Sequence, residues 1–331
     1  MAPRGGKWQR EEGWGLASIS RLPSPVSHFK FPTTQAILIA IPTIEDAPMT
    51  TREVTELLTG QPASDGDGVR LLRVFGGRHP ERFDPFLMLD EFGSEEARDY
   101  QGGFPPHPHR GFETVTYMLK GKMEHRDHLG NVGLLEDGGV QWMTAAKGII
   151  HSEMPQQTSG LMHGFQLWVN LPAAAKLGPA SYRDIPAGDI PRLEIPGARL
   201  TAIAGEARVN GQQVSGYFAI PTTEVLYLDA RLAPGASLDI EIPPEQNAMV
   251  YGFNGRVSCG EKGVVIGAKQ LARLSPGSRI RLANPDRGEC GVLILAGTPL
   301  REPVVQYGPF VMNTREQIDE AIRAYQNGTL V

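Results

Sequence analysis

The feature that most restricts this chain is a long succession of short apolar runs broken by turn formers. From Gly68 onward VRLLRVF, FLMLDEF, ETVTYMLKG, VGLLEDGGVQWM, GFQLWVNL, VLYLDARL, SLDIEI, AMVYGF, GVVIGA and GVLILAG follow one another, separated by Gly, Pro, Asp and Asn. Such intervals are those of sandwiches and barrels. SLDIEI, residues 237–242, alternates with period two, as a half-buried strand does. The 39 glycines and 27 prolines among 331 residues fit many turns and short elements rather than long helices. An all-β chain is expected, and its length points to two domains. One terminal helix is predicted in NTREQIDEAIRAYQNG. There Thr314 and Gln317 form a capping box, Ile318, Ile322 and Tyr325 share one face, and Gly328 supplies the stop.

An internal repeat supports two related antiparallel β-barrels. VTYMLKGKM, residues 115–123, lies on MVYGFNGRV, residues 249–257, with Tyr117 on Tyr251 and Gly121 on Gly255. The chain divides into a first barrel domain over 49–180 and a second over 181–331, the latter carrying the helix at 314–327. Residues 1–48 mix Trp, Gly, Pro, Ser and charges without a period. They are expected to be a disordered or loosely attached extension ahead of a native start at Met49.

Charge and cysteine usage exclude several function classes. With net charge -5, a pI near 5.9 and no run of Lys and Arg, nothing offers phosphates a positive field, so direct nucleic-acid binding is not expected. Cys259 and Cys290 have neither a CxxC partner nor a nearby histidine, and read as reduced thiols of a cytoplasmic protein. AILIAIP at 36–42 is too short to span a bilayer, so no membrane association is expected.

The histidines carry the chemistry. All eight lie at or before residue 163, so imidazole chemistry belongs to the first domain. In FPPHPHRGFETV, His107 and His109 are spaced i, i+2 and emerge from one face of an extended segment. Pro108 pushes His107 toward extended geometry and removes a ladder donor, which favours an edge or bulged strand at a rim. GIIHSEMP repeats the spacing with His151 and Glu153. Were the two strands neighbours, three imidazoles and a carboxylate would converge. That set suits a first-row metal better than calcium or magnesium and leaves two octahedral positions open. Glu113, four residues beyond His109, is read as orienting an imidazole from behind, with direct ligation in place of Glu153 as the alternative. His125 and His128 flank a hairpin tip and are read as surface residues, His79 as a loop residue, and His163 as a satisfied neighbour. His28 falls in the extension. Asp84, Asp90 and Glu91 are read as barrel-end or turn residues. At a fixed offset of 134, the four candidate ligands fall on Glu241, Pro243, Pro285 and Arg287, so the second copy lacks a site.

Taken together, GGFPPHPHRGFETVTYML, GGVQWMTAAKGIIHSEMP, GFQLWVNLP, QYGPFVMNTREQI and FDPFLMLDEF resemble the pirin family of the cupin superfamily, over roughly residues 52–329 and in family order. The resemblance implies a bicupin, two barrels face to face with a C-terminal helix. It also implies one metal, usually iron, in the N-terminal cupin, with Fe(II) as the expected ion. The ligand pattern carries onto His107, His109, His151 and Glu153, whereas the general cupin pattern would use Glu113. Two functions follow. The first is a quercetin 2,3-dioxygenase-like enzyme taking a small aromatic, enolisable substrate and dioxygen, with Glu153 accepting the substrate proton and Phe104, Phe112, Trp142, Met143 and Trp168 as candidate walls. The second is an iron-bearing interaction protein whose oxidation state alters its affinity for a regulatory protein partner, in the nucleus if the source is eukaryotic.

Overall fold

The computed structural model describes residues 49–331 apart from positions 78 and 221, and the extension expected over 1–48 lies outside the described residues. The alternating runs form antiparallel strands that assemble into two barrels, each pairing a seven-stranded sheet with a smaller one. In the first barrel the large sheet runs Ser181–Ile185, Val140–Thr144, Phe112–Lys120, Met162–Asn170, Phe86–Ser94, Val69–Phe75, Gln61–Asp65. In the second it runs Val54–Thr59, Gln270–Leu274, Asn247–Asn254, Cys290–Gly297, Leu226–Leu232, Ala198–Ala204, Arg192–Ile195. The two orders match position by position. The strands containing Tyr117 and Tyr251 both stand third, as the repeat predicts.

Sheet membership does not follow a linear division at residue 180. Val54–Thr59 pairs with Gln270–Leu274 in the second barrel, and Ser181–Ile185 pairs with Val140–Thr144 in the first. Each barrel thus covers one open edge with a strand from the other side of the division, which satisfies N–H and C=O groups that an edge would leave free.

Period-two alternation decides what each face does. Along Phe112–Lys120, Val115 and Tyr117 face outward and pack with Phe165, Leu167, Tyr227, Tyr251 and Leu293 in one apolar layer between the barrels. Thr114, Thr116 and Met118 face into the first barrel. Full burial contributes about 1.5–3 kcal/mol per large apolar side chain, so this layer holds the barrels together. Two reciprocal hydrogen bonds cross it. Tyr117 donates to Asp229 Oδ2 at 2.9 Å, and Tyr251 donates to Glu91 Oε2. The pairing registers place Tyr117 and Tyr251, and likewise Glu91 and Asp229, at equivalent positions of the two sheets. Glu91 also bonds His163 Nε2 at 2.7 Å, and is therefore an element of the barrel interface rather than a turn residue. Asp229 is paired with Arg231.

The C-terminal segment returns to the first barrel. The helix Arg315–Gln326 carries the expected capping box, and Phe310, Met312, Ile318, Ala321 and Leu330 pack together with Ile150. Arg110 donates to the carbonyls of Lys147 and Leu330. Gly111 is required here: at φ +90° any Cβ would lie 2.0 Å from the Val311 oxygen. Among the described residues no helix is long and apolar enough to cross a membrane.

Candidate metal centre

The small sheet of the first barrel runs Phe104–His109, Ile149–Pro155, Met123–Asp127, Val132–Leu135. Phe104–His109 is one of its two edge strands, where Pro105, Pro106 and Pro108 cost little ladder bonding. His107 stands directly opposite His151, and the register then slips before Glu153 pairs with Phe104. The two i, i+2 pairs are therefore neighbours.

Their ring nitrogens converge. One nitrogen from each of His107, His109 and His151 lies within 4.8 Å of the others. His109 and His151 are buried and His107 partly so. His107 Nδ1 sits 2.9 Å from the Pro105 carbonyl, which can only accept, so this nitrogen carries the proton and Nε2 presents a lone pair. That Nε2 lies 3.0 Å from His109 Nε2. The buried Nε2 of His151 has no protein partner. Burial, then the neighbouring imidazoles, push His109 and His151 well below the ordinary histidine range, with the Pro309 backbone opposing at His109. The His107 Nε2 lone pair, the unpartnered His151 Nε2 and the buried His109 ring bring imidazole nitrogens to one point and fit a divalent first-row ion; an all-oxygen shell for calcium or magnesium is not what the cluster offers.

Glu153 is buried beside the triad but outside that 4.8 Å cluster. Its Oε1 accepts from Thr116 Oγ1 at 3.1 Å, and Gln166 Nε2 donates to Oε1 at 3.3 Å and to Oε2 at 3.1 Å. Glu113, read from sequence as an alternative ligand or as support on the face of His109, points the other way. It shares the outward face of Val115 and Tyr117 and accepts from Thr144 Oγ1 at 2.6 Å, its cross-strand partner. Gly111 turns the chain between His109 and Glu113, so the strand parity assumed across it does not hold. Burial raises the Glu113 pKa, with Thr144 and Trp142 opposing.

A cavity of about 650 Å³, within the range of small-molecule sites, has His107 and His109 in its wall. Phe104, Leu71, Met88, Phe92 and Trp168 supply apolar lining, and Gln166 reaches from it to Glu153. Of the other expected wall residues, Phe112 packs behind His109 and Trp168, Trp142 belongs to the layer between the barrels, and Met143 packs with Ala145 and Ile149. Asp90 is a wall residue rather than a turn residue: buried, it is held by Arg73 through contacts of 3.0 and 2.8 Å. Burial raises its pKa, and the guanidinium opposes the rise. Its alternation with Met88 and Phe92 in FLMLDEF was the available signal.

His125 departs most from expectation. It is fully buried, with its Nδ1 3.3 Å from His151 Nδ1. The hairpin tip begins at Asp127, whose carboxylate accepts from Leu129 N, Asn131 N and Asn131 Nδ2. His125 is two residues earlier on the strand, on the inward face of buried Met123, and that parity could have located it. His128 is exposed.

Comparison with known proteins agrees with this architecture. Residues 68–169 match the Pirin family model and residues 227–331 the model of the pirin C-terminal cupin domain. A Pseudomonas aeruginosa protein named "putative quercetin 2,3-dioxygenase" is 56% identical over 283 residues, spanning 84% of this chain and 98% of its own. Human pirin is 39% identical over 279 residues, covering 83% and 93% of the respective chains. The crystal structure of an Acinetobacter baumannii quercetin 2,3-dioxygenase superposes with a TM-score of 0.77 at 33% identity, over 85% of this chain and 99% of that one. With two matched domains in order and relatives aligned over nearly their whole length, the chain belongs to the pirin family.

Proposed function

We propose that the protein is a metal-dependent dioxygenase whose first barrel oxidises a small, planar, enolisable aromatic compound of the flavonol type. The observation that carries this reading is the imidazole triad, two of whose members, His107 and His109, stand in the wall of a cavity of about 650 Å³ lined by both apolar and polar side chains. The relatives named for quercetin 2,3-dioxygenase agree with it. His107, His109 and His151 would hold the ion, Fe(II) in the first instance, with Glu153 as the fourth ligand. Such an ion supplies Lewis acidity toward a substrate hydroxyl and a common point of assembly for substrate and dioxygen.

The remaining work falls to side chains. Trp168 and Phe104, both in the cavity wall, offer aromatic surface to a flat substrate. Thr116 and Gln166 hold the Glu153 carboxylate in place, and Oε2, which accepts one bond from Gln166, keeps a further lone pair for the hydroxyl proton. Arg73, its charge matched by Asp90, gives the wall a polar point for a substrate oxygen. We place this activity in the cytoplasm.

The test is elemental analysis of purified protein, anaerobic reconstitution with Fe(II), then substrate-dependent oxygen uptake. Uptake matched by flavonol loss, and abolished in His107→Ala, is expected. Metal-loaded protein that consumes neither flavonol nor oxygen contradicts the enzyme reading and favours an iron-bearing interaction protein.

A further inference from the structure

The geometry points to His125 as a positioning residue: its hydrogen bond to His151 Nδ1 holds the His151 ring with Nε2 toward His107 and His109. This inference rests on the metal-site part of the proposed function and not on turnover. A hydrogen bond between two ring nitrogens needs one N–H and one lone pair. At 3.3 Å, His151 Nδ1 and His125 Nδ1 therefore cannot carry the same charge of protons. If His151 donates, its Nε2 keeps a lone pair for an ion, and His125 must carry its own proton on Nε2. That nitrogen faces Asp127 Oδ2 across 3.7 Å, too long for a direct hydrogen bond but close enough for the carboxylate to favour a proton there. The opposite polarity would place a proton on His151 Nε2, inside the cluster. Asp127, His125 and His151 are thus polarised in one direction, as partners behind a ligating imidazole commonly are.

The ring of His125 is itself held. It stacks on Tyr182 with centroids 4.2 Å apart and planes 18° apart. Tyr182 donates to Asp184 Oδ2, and Gln141 Nε2 donates to Asp184 Oδ1 at 3.2 Å. Gly133 makes room for this arrangement, because a Cβ there would come within 1.6 Å of Asp184 Oδ2 and 2.0 Å of the Tyr182 hydroxyl. Tyr182 comes from the strand Ser181–Ile185, which completes the first barrel from beyond residue 180.

The test uses the full chain with two substitutions and Co(II) as probe. His125→Phe keeps the stack and removes the acceptor, whereas His125→Asn returns a polar atom near the Nδ1 position. Competition titration should show a Co(II) affinity about 10–100-fold weaker for His125→Phe, with a shifted ligand-field spectrum, and about wild-type affinity for His125→Asn. Wild-type affinity and spectrum in His125→Phe, or an equal loss in both variants, would overturn the inference. Should His125→Phe not fold, ¹H–¹⁵N imidazole correlations of the wild type decide: protons on His151 Nδ1 and His125 Nε2 are expected, and the reverse assignment overturns it. A wild type that binds no Co(II) overturns the metal-site reading and this inference together. Tight Co(II) binding with the expected tautomers, but no flavonol oxidation by the Fe(II) protein, overturns only the enzyme.

Discussion

The two barrels share one strand order and differ in what fills them. Inside the second, Leu228, Ala230, Leu238, Ile240, Val250, Val257, Ile280, Leu282, Val292 and Ile294 close into a continuous apolar core. Inside the first, the corresponding sheets contribute His107, His109, His125, His151, Glu153, Thr116, Gln141, Gln166 and the Arg73–Asp90 pair. A polar interior costs stability unless its groups find partners. Here most do, although His109 Nδ1, His125 Nε2, Gln141 Oε1 and His151 Nε2 are left without a protein partner. The comparison teaches a division of labour: the second barrel acts as an apolar platform, and the shared layer with its Tyr117–Asp229 and Tyr251–Glu91 bonds steadies the first.

Substitutions can break this contrast. His151→Ala has the largest expected effect, a fall in metal affinity of at least about 100-fold, on the scale of losing one strong ligand, read by competition titration. Ile280→Ala in the second barrel should leave metal stoichiometry unchanged while lowering unfolding free energy by about 2–5 kcal/mol in denaturant titrations. A loss of metal in Ile280→Ala would contradict the division.

Acid should separate the barrels next. His109 and His151 are held well below the ordinary value of 6.5, so below about pH 6.5 the unfolded chain takes up protons that the folded one refuses. Stability of metal-free protein is thus fully present above that pH and falls beneath it, by about 1.4 kcal/mol per pH unit for each histidine. The double substitution His109→Ala, His151→Ala should flatten this limb, and an unchanged slope would refute the assignment. Tyr117→Phe and Tyr251→Phe each leave a buried carboxylate one donor short, and should each cost about 1–3 kcal/mol in equilibrium unfolding. Thr314→Ala removes the helix cap and should cost about 1 kcal/mol by the same measurement, with no change in metal affinity.

Much of this was legible in the sequence because it depends on local rules. Short alternating runs specify strands, Tyr117 and Tyr251 mark equivalent positions, and Thr314 with Gln317 announces the helix. The i, i+2 pairs of His107 with His109 and His151 with Glu153 lie on strands that are neighbours in the fold, as the spacing suggested. What was not legible depends on connections and faces. The exchanged strands Val54–Thr59 and Ser181–Ile185 answer to edge closure, which no local pattern records. The fixed offset fails on the second barrel's small sheet, because Arg279–Ala283 ends before Pro285 and Arg287. Glu113 was misplaced because the turn at Gly111 separates two strands with independent parity, and His125 because its neighbours on the surface turn masked its own inward position.

The central claim, that one barrel binds an ion and its twin does not, is tested most directly by anomalous diffraction from crystals of the Fe(II)-loaded protein, collected on both sides of the iron edge. One peak per chain, among the nitrogens of His107, His109 and His151 with Glu153 turned toward it, is the predicted result. A peak elsewhere, or none at the triad in fully loaded protein, would contradict the account.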